Sequence, residues 1–341
     1  MKIIITGATG SLGAFLTRWF AGKGHQVYAL GRAGTPPIQL QACSTYVRAD
    51  ITRPLDLPKA EVCIHCAGLA DDKAKPADLH AANVEGTKNV VTAASGCKTF
   101  VHISSSSVYA HSDLPVSEEV EGGRTQVLSN YGKSKLKTEE IVTKHYKNNS
   151  CFILRPRAIY GAGDKVLLPR LLKLVRNNKM IMPGRMNVKL SLTHFANLAE
   201  AIECCLLTDT CGLNIYNVAD DRIYVLSDVI IKLLSTLYPT QLVEKYMPLW
   251  VLRLMLALRI GDLTPLFLNT ISRSLVLDIS KIKRELNYSP SMNLDLSLDE
   301  IKNWVKAIGG TEVLKTADPH LAWLVNPYPT NQSGNFQTIH P

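Results

Sequence analysis

Ile3-Ile4-Ile5-Thr6-Gly7-Ala8-Thr9-Gly10-Ser11-Leu12-Gly13 stands almost at the first residue, and its reading decides the fold. Three β-branched apolar residues in a row describe a strand buried on both faces, as in a parallel sheet. The glycines that follow are spaced for a tight turn into a helix. Gly7 permits the turn, Gly10 lets a pyrophosphate approach the backbone, and Gly13 lets the helix pack against the strand. That helix would aim its free N–H groups and the positive end of its dipole at the phosphates. Thr9, Ser11 and Leu12, threaded between the glycines, are expected to touch the same ligand. A glycine triplet alone recurs in many folds; between a buried strand and a helix it points to dinucleotide binding.

Outward from this turn, short apolar runs alternate with helical patterns. Strands are expected at 2–6, 26–30, 45–48, 62–66, 99–103 and 151–155, with helices at 12–23, 78–94 and 130–146. Such alternation implies a doubly wound α/β fold, a parallel sheet covered on both faces that binds ligands at the carboxyl ends of its strands. Beyond Tyr160 the pattern is less regular. Helices are expected at 167–177, 196–207, 226–237, 247–259 and 297–306, and a strand at 213–218. We read residues 1–160 as a dinucleotide-binding Rossmann domain with return segments near 190–220. Residues 161–318 read mainly as a smaller, mixed substrate-binding lobe, and 319–341 as a flexible tail rich in Pro, Asn, Gln and Ser.

Composition narrows the partners. The formal charge is +9, but the cations are dispersed and form no aromatic-interleaved basic cluster. An anionic small molecule is expected rather than nucleic acid. No stretch reaches the ~18–20 apolar residues that would span a bilayer. The first residues run directly into a strand without a signal-peptide pattern, so a cytoplasmic location is expected. Cys63 and Cys66 form a C-x-x-C, but inside a strand and without a second Cys/His pair at zinc spacing. The eight cysteines are therefore read as free thiols, and no metal site is expected.

Cofactor choice turns on the end of the second strand, where NAD-selective folds place Asp or Glu for the ribose hydroxyls. Here it ends Tyr28-Ala29-Leu30-Gly31-Arg32, without a carboxylate. Gly31 is expected to leave room and Arg32 to pair with a 2′-phosphate, favouring NADP(H) while leaving NAD(H) open. Asp50 and Ile51, past the third strand, are placed to meet the adenine. In Asn130-Tyr131-Gly132-Lys133-Ser134-Lys135, Tyr131 and Lys135 lie at i and i+4, one helix face. A tyrosine near its reference pKa of ~10 is a poor base; a neighbouring ammonium favours the phenolate. Lys135 can also hold the nicotinamide ribose. Ser104 to Ser107 follow the strand at 99–103 and set hydroxyls at the sheet's carboxyl edge, one of which can hydrogen-bond the reacting oxygen.

Together these motifs resemble the extended short-chain dehydrogenases/reductases, also called the NAD-dependent epimerase/dehydratase family, over roughly residues 1 to 305. The likeness runs through Thr6-Gly7 to Gly13, Asp50, His65-Cys66-Ala67-Gly68, Asn83-Val84 with Gly86-Thr87, and Ser104 to Tyr109. It continues through Tyr131/Lys135 and Arg155-Pro156 with Tyr160-Gly161. The resemblance implies Ser105 as the catalytic hydroxyl beside Tyr131 and Lys135, and places Ala67, Gly68 and Pro156 along the cofactor. Dehydratases of the family carry Asp-Glu after that hydroxyl; Ser106-Ser107 stand here, which argues against sugar 4,6-dehydration. Many sugar-nucleotide epimerases have Asn where this chain has Ala158.

Later segments resemble the 3β-hydroxysteroid dehydrogenase-like branch, which includes reductases of 2-alkyl-3-oxoalkanoates. They are Arg155 to Gly161 with Asp164, Leu168 to Leu172, Leu192-Thr193-His194 with Asn197-Leu198, and Leu277-Asp278-Ile279 with Leu286-Asn287-Tyr288 and Pro290. The leading expectation is an enzyme interconverting a secondary alcohol and a ketone on a bulky apolar or amphiphilic molecule. A homodimer is the family expectation. The alternatives are a nucleotide-sugar 4-epimerase or 4-ketoreductase, and a non-catalytic NADP-sensing scaffold, which would not need the intact Ser105/Tyr131/Lys135 set. Two stretches bear on the substrate. Residues 247–258 could line an apolar pocket or form an ordinary core helix. Lys165 to Lys189, with seven Lys/Arg and no acid, could offer charge at the pocket rim, with Arg170, Arg176 and Lys179 as candidates.

Overall fold

Strands β1 (Lys2–Thr6), β2 (Gln26–Gly31), β3 (Thr45–Arg48), β4 (Val62–His65), β5 (Thr99–Ile103), β6 (Ser150–Pro156) and β7 (Leu213–Val218) form one sheet. Their order is β7-β6-β5-β4-β1-β2-β3, and every neighbouring pair is parallel. The computed structural model describes residues 1–71, 73–112, 114–119, 129–146, 149–258, 265–316, 318 and 321–324. From β1 the chain winds outward to β3, then returns to β4 on the other side. The crevice at that reversal, outside the carboxyl ends of β1 and β4, is where such sheets take ligands.

Successive side chains of a strand alternate between faces, so β1 serves two cores at once. Ile3 and Ile5 pack with Phe15, Leu16 and Phe20 of α1 (Ser11–Gly22). Ile4 packs on the opposite face with Val90, Phe100 and Ile153. A separate cluster containing Leu168, Met182, Leu233, Ile301 and Trp304 holds the second lobe together.

Three expectations change in detail. The helix expected at 78–94 is broken: a π-helical turn, His80–Glu85, separates Pro76–Leu79 from Gly86–Ala93. The helix expected at 167–177 stops at Leu172, and Asn177 and Asn178 further on both take left-handed φ (48° and 56°). They turn a hairpin pairing Val175–Arg176 with Lys179–Pro183, as two consecutive left-handed residues do. The third change concerns Leu249–Ala257. Its Trp250, Leu254 and the following Leu258 are 66%, 50% and 61% exposed, while Leu252 faces inward. The stripe expected to face the cleft instead meets solvent.

The tail expected from 319 also begins too early. Leu321–Leu324 is helical, the Trp323 indole N–H donates to the Ala8 carbonyl at 3.0 Å, and the Arg18 guanidinium lies 4.2 Å from the ring centre. Residues 325–341 lie outside those described, as do Asp72 and Asn148. Among the described residues no helix is long and apolar enough to cross a membrane. None of their His, Cys, Asp and Glu residues gather in threes to hold a metal ion.

Candidate active site

The glycine turn is packed so closely that side chains cannot enter it. Gly7 has φ +71°, and a Cβ there would lie 2.9 Å from Ala67 N and Cα. A Cβ on Gly13 would lie 2.2 Å from the Gly7 carbonyl oxygen. The Ala67 N–H donates to Thr6 Oγ1 at 3.0 Å, which pins the exit of β4 beside the exit of β1. A groove of about 520 Å³ opens there, lined by Gly7, Thr9, Gly10, Gly31, Arg32, Asp50, Ile51, Ala67 and Gly68. An adjoining cavity of about 400 Å³ shares Gly7, Gly10 and Gly68 with it. Ser11, Leu12, Gly13, Ser105, Tyr131, Lys135 and Pro156 line this second space. The residues named from the sequence for the cofactor and for catalysis thus meet along one edge of the sheet.

At the β2 end of the groove, Arg32 is exposed. The room expected at Gly31 is already filled: a Cβ there would meet Thr9 Cγ2 at 3.0 Å and Tyr46 Oη at 3.1 Å. The Tyr46 hydroxyl is held in place by donating to the Ala33 carbonyl at 2.9 Å. Asp50 accepts from the Thr52 N–H (3.0 Å) and hydroxyl (2.9 Å). Those bonds, then the nearby charges of Arg32 and Arg53, hold its carboxyl below the usual range.

Two contributors escaped the sequence reading. Lys165, assigned there to the substrate rim, lines both cofactor-side cavities. Its N–H donates to Ser11 Oγ at 3.1 Å and its ammonium to the Thr9 carbonyl at 3.3 Å. The contact spans more than 150 residues of chain, so no local pattern could reveal it. The π-turn is the other: it sets Ala81 and Ala82 on the groove and Asn83 behind it. Asn83 accepts from the Leu69 N–H at 2.7 Å and donates to Ser134 Oγ at 2.9 Å, tying the groove to the helix that carries Tyr131.

That helix, Asn130–His145, starts where Ser129 Oγ accepts from the Gly132 N–H at 2.9 Å, a standard N-cap. One turn in, Lys135 is buried, and its ammonium donates to the Ile103 carbonyl at 2.8 Å. Burial pushes its pKa down to about 8. Of the serine run, Ser104 is committed to Glu139 at 2.6 Å. Ser105 Oγ accepts from the Ser107 N–H at 3.1 Å and keeps its own proton on a 3.1 Å contact with Ser107 Oγ. It is the serine whose side chain reaches both the second and a third cavity.

Behind these groups lies a buried polar network. Arg155 binds Glu139 through two bonds of 2.6 and 2.9 Å and donates to Tyr109 Oη at 2.7 Å. Tyr109 in turn donates to Asn217 Oδ1 at 2.8 Å. The network joins the Tyr131 helix, β6, β7 and the serine loop, and holds their relative positions.

The third cavity, about 310 Å³, lies beyond Ser105. Leu167, Leu190, Leu226 and Leu275 form apolar walls; Arg157, Arg170 and His111 are its basic members, beside serine, tyrosine and threonine hydroxyls. Arg176, Lys179 and the 247–258 run, expected at this cleft, line none of the three cavities. Ala158, between Arg157 and the short strand Ile159–Tyr160, takes a left-handed φ of 43°.

The sequence pattern of the NAD dependent epimerase/dehydratase family matches residues 3–219. The 2-alkyl-3-oxoalkanoate reductase of Stenotrophomonas maltophilia (strain K279a) is 30% identical over 59% of this chain and 64% of its own. The 3-beta-hydroxysteroid dehydrogenase of Mycolicibacterium neoaurum is 23% identical over 94% of this chain and 96% of its own. Among solved structures, UDP-glucuronic acid 4-epimerase from Bacillus cereus in complex with NAD has a TM-score of 0.71 at 20% identity. That likeness, which is one of fold, covers 93% of this chain and 99% of the other. The matched span ends just past β7, so it takes in the whole sheet and the helix bearing Tyr131, and this chain belongs to the NAD-dependent epimerase/dehydratase family, the extended short-chain dehydrogenases/reductases.

Proposed function

We propose that the chain is an oxidoreductase that interconverts a secondary alcohol and a ketone, uses NADP(H) in preference to NAD(H), and employs Tyr131 as its acid/base. The observation that carries this reading is the convergence of Ser105, Tyr131 and Lys135 on the cavity adjoining the glycine turn. The turn suits a dinucleotide, because Gly7 and Gly13 leave no space for side chains and the start of α1 faces the groove. In this reading Thr9, Ser11 and Leu12 stand along the pyrophosphate, Asp50 and Ile51 by the adenine, and Arg32 by a 2′-phosphate. Ala67, Gly68, Pro156 and Lys135 flank the nicotinamide half. When bound, the nicotinamide supplies or accepts the hydride.

The protein's own groups manage the proton. Tyr131 delivers it to the carbonyl oxygen during reduction and removes it from the alcohol during oxidation. The Lys135 ammonium favours the phenolate. Ser105 turns its hydroxyl from Ser107 to the reacting oxygen, where it stabilises developing charge. Residues 1–160 and the return segments near 190–220 would serve the cofactor, while the second lobe shapes the substrate end. The apolar walls of the third cavity, with cations among them, favour an amphiphilic ketone. Similarity to an oxoalkanoate reductase and a hydroxysteroid dehydrogenase supports the same class.

The test follows cofactor absorbance across a panel of β-keto acids and esters, sterols and nucleotide sugars. Turnover of a ketone or alcohol in the first groups is expected. Tyr131→Phe should keep cofactor affinity and lose most turnover, with Ser105→Ala milder, a loss of roughly 10²-fold or more. Near-normal activity in Tyr131→Phe would sink the mechanism. Turnover confined to nucleotide sugars, with tightly held NAD, would make the enzyme an epimerase.

A further inference from the structure

We infer that Arg157, supported by Arg170 and His111, forms an anion-binding subsite in the cavity beyond Ser105, and that the substrate places a carboxylate there. The inference rests on the alcohol/ketone reading for its chemistry, but its geometry is independent of it.

Two arginines leave the end of β6 and its continuation, Arg155 and Arg157, and they meet different fates. Arg155 is neutralised by the two bonds to Glu139 and the one to Tyr109. Among the described residues Arg157 receives no such compensation. Its Nε is buried without a hydrogen-bond partner. Burial alone pushes its pKa down to about 10, with no described acid opposing the shift. Its backbone is nonetheless fixed: the N–H donates to Thr193 Oγ1 at 3.0 Å, and that hydroxyl donates to the Val218 carbonyl at 2.8 Å. The residue is therefore anchored at the cavity wall through its backbone. A half-buried cation with no counter-charge among the described residues is costly unless a ligand completes it.

The neighbours point the same way. His111 Nδ1 is also buried without a partner, and the imidazole's pKa is lowered by burial and then by the charge of Arg157. Arg170 lines the same cavity, and no Asp or Glu is among its described lining residues. A planar guanidinium matches a carboxylate with two parallel hydrogen bonds. Ser105 lines this cavity too, so the oxygen undergoing chemistry and the anionic group occupy one continuous space with leucine walls between. A hydroxy or oxo acid with an alkyl chain has that arrangement.

The experiment compares a medium-chain 3-hydroxy acid with its methyl ester, as substrates with NADP⁺ and as ligands of the enzyme–NADPH complex by calorimetry. Unaltered enzyme, Arg157→Met and Arg157→Lys are measured side by side, with NADPH affinity as the check on folding. The unaltered enzyme should prefer the acid by roughly tenfold to hundredfold, the range of one charge-assisted bond. The preference should fall to near one in Arg157→Met and survive in part in Arg157→Lys. Equal acid and ester binding in the unaltered enzyme, or a ratio unmoved by Arg157→Met, overturns the subsite. If neither compound is oxidised but the acid still binds in an Arg157-dependent way, the subsite stands and the alcohol/ketone reading falls. Should Arg157→Met not fold, the acid-to-ester ratio in the other two proteins decides.

Discussion

Replacing Lys135 with Met should make the cofactor-free protein more stable while abolishing its chemistry. The ammonium is buried, and burial brings its pKa from 10.5 to about 8. At ~1.4 kcal/mol per pH unit, that displacement corresponds to roughly 3 kcal/mol against the folded state while the lysine is protonated. Methionine fills a similar volume without the charge. It also leaves the Ile103 carbonyl without the bond it now accepts at 2.8 Å, a loss of about 1 kcal/mol. The net gain at pH 7 is therefore about 2 kcal/mol. Its pH dependence follows from proton linkage. Between about pH 8 and 10.5 the unfolded chain binds the proton more tightly than the folded one, so the unaltered protein gains stability as pH rises through that window. The advantage of Lys135→Met is full below pH 8 and falls as pH rises, until at about 10.5 only the cost of the lost Ile103 bond remains, about 1 kcal/mol in favour of the unaltered protein. Urea denaturation of both proteins at intervals from pH 6 to pH 10, without cofactor, reads the gap directly. A variant less stable than its parent at pH 7, or a gap that ignores pH, would refute the argument. A confirmed gap means that the folded protein carries the buried Lys135 cation at a cost to its own stability.

Four other outcomes follow. Arg155→Met should destabilise the protein by about 3–5 kcal/mol by stranding the Glu139 carboxylate, and adding Glu139→Leu should recover most of the loss in the same denaturation assay. Arg32→Ala should weaken NADPH about tenfold to hundredfold in calorimetry and leave NADH nearly unchanged; equal losses for both cofactors would reduce Arg32 to a general contact. Ala158→Gly should raise stability by roughly 0.5–1 kcal/mol, because the left-handed φ of 43° costs alanine about 1–2 kcal/mol and glycine's greater chain entropy offsets part of the relief. Trp250→Ser, on a side chain 66% exposed, should leave KM within about twofold and stability within ~0.5 kcal/mol; a several-fold rise in KM would return that helix to the substrate cleft.

What the sequence determined by itself was whatever depends on neighbours in the chain. Three β-branched residues make β1 a buried strand, glycines without Cβ make the turn, and i, i+4 spacing puts Tyr131 and Lys135 on one face. Those features are local, so the groove and the pairing of Tyr131 with Lys135 beside it were legible before any fold was known. The tertiary structure decided matters in which distant groups compete. Residues 249–258 are apolar on every side except Arg253, so periodicity offered no face to choose, and packing against Leu252 turned Trp250 to solvent. The run after Leu167 reads as helix, yet Asn177 and Asn178 adopt left-handed φ and pair the chain as a hairpin. Gly31 looked like room for a phosphate until Tyr46 arrived from β3 to fill it. Arg155 and Arg157 are the plainest case: two like residues, two positions apart. Only the folded chain brings Glu139 to the first and leaves the second facing a cavity, because a charge's cost is set by what is packed around it and not by its neighbours in sequence.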